Sequence, residues 1–185
     1  MVFGPLKIRL YGDPCLEAKS RAVKEVGPVE RMLIAAMFET MIAYKGVGLA
    51  APQVGINEQI FVVDTGKEVF AAINPKIIKT AGKEVMEEGC LSIPRVLVEV
   101  KRAETVWVEF TDGENRHVRA QLSGLTAKVF QHEYDHLQGI LFTDLISSDI
   151  KKKINKDIIK IKKRKIEIQY PVSEGIDYQL FSNKY

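Results

Sequence analysis

The sequence has little cysteine and no long apolar run. Its 185 residues include two cysteines, Cys15 and Cys90, which excludes the disulfide-rich scaffold of a small secreted protein. No apolar stretch approaches the roughly 18 to 20 residues that a membrane-spanning helix requires, and residues 1–7 lack the apolar segment of a signal peptide. We therefore expect a cytoplasmic protein with no membrane partner, in which each cysteine acts as a separate thiol.

Internal repeats and low-complexity linkers are also missing, and the net charge is small. Hydrophobic residues make up 46% and charged residues 28% of the chain, which is typical of a globular domain. The net charge of +3 hides an asymmetry, because residues 151–167 hold nine lysines and arginines against two acidic residues. The remainder of the chain is therefore acidic, and a polyanionic partner is to be sought at the C-terminal region.

The apolar pattern predicts helices at three places and short strands between them. A first helix is predicted from Val29 to about Lys45, and a second between Ser123 as N-cap and Gly139 as C-terminal stop. A third is predicted from near Ser148 to a point before Pro171. Short strands are predicted at residues 60–63, 69–73, 96–100, 106–110 and 117–122. The pattern indicates one α+β domain with a largely antiparallel sheet.

The second predicted helix contains the sequence His132-Glu133-Tyr134-Asp135-His136. Four residues of helix bring the two imidazoles onto one face, where both can bind one metal ion. Leu125 and Val129 share that stripe, so we expect the histidines to enter the interior, where ligation satisfies them. Glu133 between the ligands can take a proton from water, a role that a structural helix does not require.

A catalytic metal site with two histidine ligands needs a third protein ligand and an open coordination position for water. Phe142 occupies the place of the third histidine of the long metzincin motif, and the next glutamate downstream, Glu167, lies in the basic region. Upstream, Cys90 offers a thiolate, a strong ligand for Zn²⁺ or Fe²⁺. Cys90 taken alone could equally be a small buried apolar residue, but Gly89 and Pro94 beside it favour a shaped turn.

Three segments together resemble one family. Residues 46–53 (GVGLAAPQ), 88–92 (EGCLS) and 131–136 (QHEYDH) look like the three signature motifs of peptide deformylases, in the family's order and approximate spacing. The resemblance covers about residues 6–146 and implies a catalytic domain over 1–147, with a basic helix and tail at 148–185 belonging to the same single domain. It implies mostly antiparallel sheets around a central metal-binding helix, with an N-terminal helix and a C-terminal basic helix. Lys128 departs from the family's pattern, in which arginine is frequent at this position, and Leu97 stands where some bacterial members carry an arginine.

The resemblance also implies a reaction and its residues. The enzyme would remove the formyl group from N-formyl-methionyl nascent peptides and release formate. One divalent ion would be held by Cys90, His132 and His136; Fe²⁺ is implied natively, and Zn²⁺, Ni²⁺ or Co²⁺ could occupy the same ligands. A metal-bound water would attack the formyl carbonyl with Glu133 as general base and acid, while the Gln53 amide and the Leu91 backbone N–H would stabilise the oxyanion.

The methionine side chain needs an apolar pocket beside the metal, because a thioether offers mainly dispersion contacts. The candidate substrate-binding residues are Val47, Gly48, Met86, Gly89, Leu125 and Val129. A charged group could orient the histidines from behind. The candidates for this group are Glu88, Arg102 and Asp135.

Two other functions remain open from the residues alone. One is a peptidase that cleaves internal amides and ignores the formyl group, and the other is a ribosome- or RNA-docking protein with a structural metal ion. The basic helix likewise has two interpretations. Its stripe of Ile150, Ile154, Ile158 and Ile161 could simply pack on the domain, or its lysines could in addition dock on the phosphates of ribosomal RNA. No feature indicates a specific DNA partner.

Overall fold

A computed structural model describes residues 5–173 and contains five α-helices and seven strands within them. The helices are α1 (Pro14–Glu17), α2 (Pro28–Ala43), α3 (Gly124–Leu137), α4 (Phe142–Leu145) and α5 (Ser148–Lys162). The strands are β1 (Gly48–Ala50), β2 (Ile60–Asp64), β3 (Val69–Ala81), β4 (Glu84–Cys90), β5 (Ile93–Arg102), β6 (Thr105–Thr111) and β7 (His117–Ser123). A 3₁₀ turn, Ala51–Val54, follows β1.

The strands form a five-stranded sheet of order β1-β2-β3-β6-β7 and a separate two-stranded hairpin of β4 and β5. All of these strand pairs are antiparallel. From Pro94 to Arg102, every second residue of β5 is buried while the residues between are exposed, so this part of the hairpin covers the core with one face only. The predicted α+β class with mostly antiparallel sheets is confirmed.

Helix α3 lies centrally, between the five-stranded sheet and the hairpin. Phe130 and Leu137, seven residues apart on its inner face, are fully buried, and the ring of Phe130 packs edge-on against Phe61 of β2 at 5.0 Å between centroids. These contacts set the rotation of α3 about its axis. The stripe that carries the two histidines is thereby turned away from the sheet, toward the hairpin.

Gly139 ends the segment that carries α3, as predicted. Its φ is +73°, a conformation that favours glycine. A Cβ at this position would also lie 2.8 Å from the backbone carbonyl carbon of Glu17. The chain therefore passes directly against the end of α1 at a distance that no larger residue permits.

Several boundaries differ from the sequence-based prediction. Strands β3 and β5 extend beyond the predicted residues 69–73 and 96–100, and β1 and β4 were not predicted at all. Most of β4 is solvent-exposed, and its burial does not alternate regularly, so its strand conformation comes from pairing with β5 and leaves no apolar pattern in the sequence. The single-turn helices α1 and α4 were too short for a periodic signal.

The C-terminal helix packs on the domain through its isoleucines. Ile161 is fully buried in the main core, and Ile150, Ile154 and Ile158 are partly buried against it. Beyond α5 the chain returns across the domain, and Val172 pairs with Ile8 in a parallel bridge. Residues 174–185 of the predicted tail lie outside the described residues. Within residues 5–173, no helix is both long enough and apolar enough to cross a membrane.

Candidate metal centre and catalytic cleft

Three segments that are distant in sequence meet at one point. Helix α3 supplies His132 and His136 one turn apart, with ring centroids 5.0 Å from each other. The turn of the β4–β5 hairpin supplies Cys90, which pairs with Ile93 across the turn residues Leu91 and Ser92. The sulfur of Cys90 lies 3.3 Å from Nε2 of His136, and the ligand atoms of the cysteine and both histidines all lie within 4.8 Å of one another.

These three donors fit a divalent transition-metal ion. Ligands that hold a tetrahedral ion at about 2.0 to 2.3 Å are separated from each other by roughly 3.5 Å, close to the observed separation of the Cys90 sulfur and His136. Burial lowers the pKa of His136 well below its usual value, which keeps the imidazole neutral, as a ligand must be. Burial alone would lower the pKa of His132, but its hydrogen bonds with Cys90 and Glu88 raise it well above its usual value. The two histidines therefore differ, because His136 is held neutral whereas Cys90 and Glu88 favour a positive charge at the His132 ring.

A buried charged group lies behind His132. Nδ1 of His132 is 3.0 Å from Oε2 of Glu88, and the Arg102 guanidinium donates through Nε and Nη2 to the two oxygens of Glu88. Nη1 of Arg102 also donates to Asp135 at 2.8 Å. Burial alone would raise the pKa of Glu88, but the hydrogen bonds from His132 and Arg102 hold it below its usual range. The ionised Glu88 thus fixes the His132 ring and leaves Nε2 facing the cysteine. The structure brings together the three residues that the sequence proposed for this group.

Glu133 is 3% exposed, and burial raises the pKa of its carboxyl to about 7. Its Oε2 has no hydrogen-bond partner among the described residues. A carboxyl group with this pKa can both accept and release a proton near neutral pH.

Gly48 makes room for that carboxyl group. A Cβ at position 48 would lie 2.8 Å from the carboxyl carbon of Glu133 and 2.8 Å from Cγ1 of Val129. Gly48 borders the cleft, as expected of a substrate-binding residue. It also sets the position of Glu133, which the sequence did not predict.

Gln53 is buried and its amide is held at both ends. Oε1 accepts a hydrogen bond from the Ala50 backbone N–H at 2.8 Å. Nε2 donates to the sulfur of Cys90 and to Oγ of Ser92, each at 3.2 Å. The Gln53 side chain therefore anchors its loop and also directs its NH₂ group toward the Cys90 turn.

A cleft of about 690 Å³ opens beside this cluster, within the range of roughly 300–1,000 Å³ that small-ligand sites occupy. All six predicted substrate-binding residues border it, together with Gln53, Cys90, Leu91, His132 and Glu133. His136 does not border it, since it is 1% exposed and lies behind the cysteine. One expectation was wrong. Leu125 was placed on a buried stripe but is 44% exposed, because it stands in the first turn of α3, at the open side of the cleft.

Three residues with contacts in the site were not predicted to take part in it. The Ser92 hydroxyl accepts a hydrogen bond from Gln53. Its position two residues after Cys90 could have indicated from the sequence that it lies in the site. The buried Lys128 bonds to Glu84 of β4 at 2.6 Å, although the sequence noted it only as a departure from the family. Tyr170 donates a hydrogen bond to the Leu91 carbonyl across 79 residues, and no local pattern could have indicated that contact.

Comparison with known proteins agrees with this geometry. The family model described as polypeptide deformylase matches residues 5–152. The peptide deformylase of Pseudothermotoga lettingae is 47% identical over 166 residues, which is 89% of this chain and 96% of that protein. The crystal structure of peptide deformylase from Thermotoga maritima is 43% identical with a TM-score of 0.77, covering 78% of this chain and 99% of that one. That of a peptide deformylase from Legionella pneumophila is 34% identical with a TM-score of 0.82, covering 88% and 98%.

Proposed function

Because the chain belongs to the peptide deformylase family, we propose that it hydrolyses the formyl group from formyl-methionyl nascent peptides with one divalent metal ion held by Cys90, His132 and His136. The observation that carries the proposal is the convergence of these three donors within 4.8 Å beside a buried carboxyl group. We also propose that residues 1–147 and 148–185 form one domain, because Ile161 of α5 is fully buried in the core. We propose a cytoplasmic location, where nascent peptides leave the ribosome.

The donor set supports a divalent transition metal, since one thiolate and two imidazoles suit Fe²⁺, Zn²⁺, Ni²⁺ or Co²⁺. Fe²⁺ is proposed as the native ion on the family resemblance. When bound, the ion supplies Lewis acidity, which polarises a carbonyl group and lowers the pKa of water from about 15.7 toward roughly 7.

The protein's own residues then move the proton and stabilise charge. Glu133 accepts a proton as water attacks the formyl carbon, and it delivers that proton to the methionine nitrogen as the C–N bond breaks and formate leaves. The Gln53 NH₂ group and the Leu91 backbone N–H donate hydrogen bonds to the oxygen that gains negative charge. Glu88 holds the His132 ring during these steps.

The apolar side of the cleft supports recognition of methionine. Val47, Met86, Leu125 and Val129 border it, and Val47 and Leu125 are exposed. An exposed apolar patch beside polar groups is characteristic of a binding site. Gly48 and Gly89 also border the cleft. Because they have no side chains, an extended peptide could approach their backbone closely.

The test separates the role of Glu133 from metal binding. Anaerobically purified Glu133→Gln should retain about one metal ion per chain, yet lose roughly 10²- to 10⁴-fold in formate release from formyl-Met-Ala, because general acid–base catalysis contributes about that much. Cys90→Ala should lose metal and activity together. Full activity in Glu133→Gln, or a metal-replete and active Cys90→Ala, would contradict the assignment.

The same assay distinguishes the proposed deformylase activity from the peptidase alternative. Acetyl-Met-Ala and an unformylated peptide should be poor substrates, because the proposed reaction selects the formyl group. Comparable kcat/KM values for formyl and acetyl peptides would favour a general peptidase.

We propose in addition that α5 docks on ribosomal RNA, which would place the enzyme near its substrate. The isoleucine face of α5 is occupied by the domain, whereas Lys152, Lys156 and Lys163 are exposed. Each lysine that meets a phosphate releases counterions, so binding should weaken steeply with salt.

A full-length triple variant with Lys152, Lys156 and Lys163 changed to glutamine tests this docking without disturbing the core. Its cosedimentation with ribosomes should weaken and become less dependent on salt, while formyl-Met-Ala hydrolysis is retained. The matched control changes the exposed Lys24, Lys67 and Lys76 to glutamine, which removes the same charge elsewhere on the surface. Equal cosedimentation of both variants would leave α5 as a packing helix with a solvated face.

A further inference from the structure

The chain beyond α5 returns to the turn that carries Cys90. We call residues 166–173 the return segment. The Ile8 N–H donates to the carbonyl of Pro171 at 3.0 Å, and the Ser173 N–H donates to the carbonyl of Ile8 at 3.0 Å. Ile8 and Ser173 are fully buried, so backbone pairing ties the end of the return segment to the interior. Glu167, Ile168, Gln169 and Tyr170 border the cleft.

Tyr170 connects this segment to the site. Its ring stacks on Tyr44 at the end of α2, with centroids 5.1 Å apart and planes inclined by 29°. Its hydroxyl donates a hydrogen bond to the backbone carbonyl of Leu91. Burial raises the pKa of Tyr170, so the phenol remains a hydrogen-bond donor throughout the neutral range.

The two-residue turn of Leu91 and Ser92 is held from three directions. The Tyr11 N–H donates to the Ser92 carbonyl at 2.8 Å, and Gln53 donates to the Ser92 hydroxyl at 3.2 Å. Tyr170 holds the Leu91 carbonyl. Peptide groups are planar, so only φ and ψ of Leu91 separate its amide from its carbonyl. Cys90 is paired with Ile93 on the other side of the turn, and fixing the Leu91 carbonyl therefore restricts the direction of the Leu91 N–H.

From these contacts we infer that Tyr170 is a positioning residue for catalysis, which holds the Leu91 N–H in the direction needed to stabilise the developing oxyanion. The inference rests on the proposed deformylase function. Tyr170 does not touch the reacting atoms; it acts through the turn. The C-terminal segment, outside residues 5–152 that match the family model, thereby becomes part of the catalytic machinery of this chain.

Full-length Tyr170→Phe tests the inference, because phenylalanine keeps the stacked ring and removes only the hydroxyl group. Removing an oxyanion donor outright costs about 10²- to 10³-fold in kcat, and releasing its support should cost less, about tenfold. KM for formyl-Met-Ala and the metal content should stay within about twofold of the parent's. The reason is that the hydrogen bond from the Leu91 N–H matters mainly when negative charge develops on the formyl oxygen.

Tyr44→Phe is the matched control. The Tyr44 hydroxyl also donates to a backbone carbonyl, that of Leu6 at 3.2 Å, but this bond does not involve the turn, so kcat should stay within about twofold of the parent's. An unchanged kcat in Tyr170→Phe, an equal loss in Tyr44→Phe, or a fall in metal content with kcat would overturn the inference. A parent protein without formate release would instead refute the proposed function, so the two failures are distinguishable.

Discussion

At the scale of single residues, the site depends on a residue without a side chain as much as on residues with reactive groups. The carboxyl group of Glu133, the proposed general base, occupies space left by the absence of a side chain at Gly48, against which it packs together with Val129. A buried carboxyl group that is moved by about an ångström loses its alignment with the attacking water, and positioning accounts for a large part of enzymatic rate enhancement.

Gly48→Ala should therefore reduce kcat for formyl-Met-Ala at least about tenfold and destabilise the fold by about 1–3 kcal/mol, as overpacking of a filled site does. The control is Gly113→Ala, where an added Cβ would meet its nearest neighbour at 4.0 Å. Steady-state kinetics and thermal unfolding of both variants make the comparison. Equal activity in the two variants would show that Glu133 tolerates displacement.

At the scale of elements, the β4–β5 hairpin and the return segment after α5 connect the site to distant parts of the chain. The β4–β5 hairpin projects Cys90 toward α3, and Arg102 at the end of β5 binds both Glu88 of β4 and Asp135 of α3. Helix α5 packs against β5 and directs the return segment toward the Leu91 turn. We therefore expect the packing of α5 to influence the geometry of the site.

Ile161 anchors α5, since it is 0% exposed while Ile159 on the same helix is 42% exposed. Ile161→Ala should destabilise the protein by about 2–5 kcal/mol, the usual cost of truncating a buried isoleucine. Ile159→Ala should stay within about 0.5 kcal/mol of the parent. Denaturant unfolding measures both, and equal midpoints would mean that α5 contributes little to the cooperative fold.

At the scale of the whole molecule, the proposed metal ion joins the hairpin to the central helix. Cys90 and His136 are separated by 46 residues, and the buried apolar residues of β5 and of α3 belong to two different core clusters. An ion that binds the folded chain and not the unfolded one stabilises it by about 2.7 kcal/mol at a hundredfold excess over Kd.

Removal of the metal ion with a chelator should accordingly lower Tm by about 5–10 °C, because roughly 2–4 °C correspond to each kcal/mol in a chain of this size. Cys90→Ala should show almost no response to the chelator. Calorimetry with parallel metal analysis tests this, and an unchanged Tm after proven loss of metal would mean that the ion does not bridge the two elements.

The sequence alone predicted the fold class and the features that depend on neighbouring residues. The spacing of His132 and His136 placed both on one face of α3, and the isoleucine repeat predicted the packed face of α5, because helical periodicity is a property of residues three or four apart. The chemistry of its thiol made Cys90 a candidate third ligand, and the resemblance to peptide deformylases assigned it to the same site, since spacing alone does not join it to α3.

Tertiary structure decided what depends on distant partners. Strand β4 exists because β5 pairs with it, and Leu125 is exposed because the cleft opens at its end of α3. The pKa of Glu133 near 7 comes from its burial, and the Tyr170 contact joins residues 79 positions apart. Burial, electrostatics and long-range hydrogen bonds are set by whatever packs against a residue in the folded chain, and no local pattern carries that information.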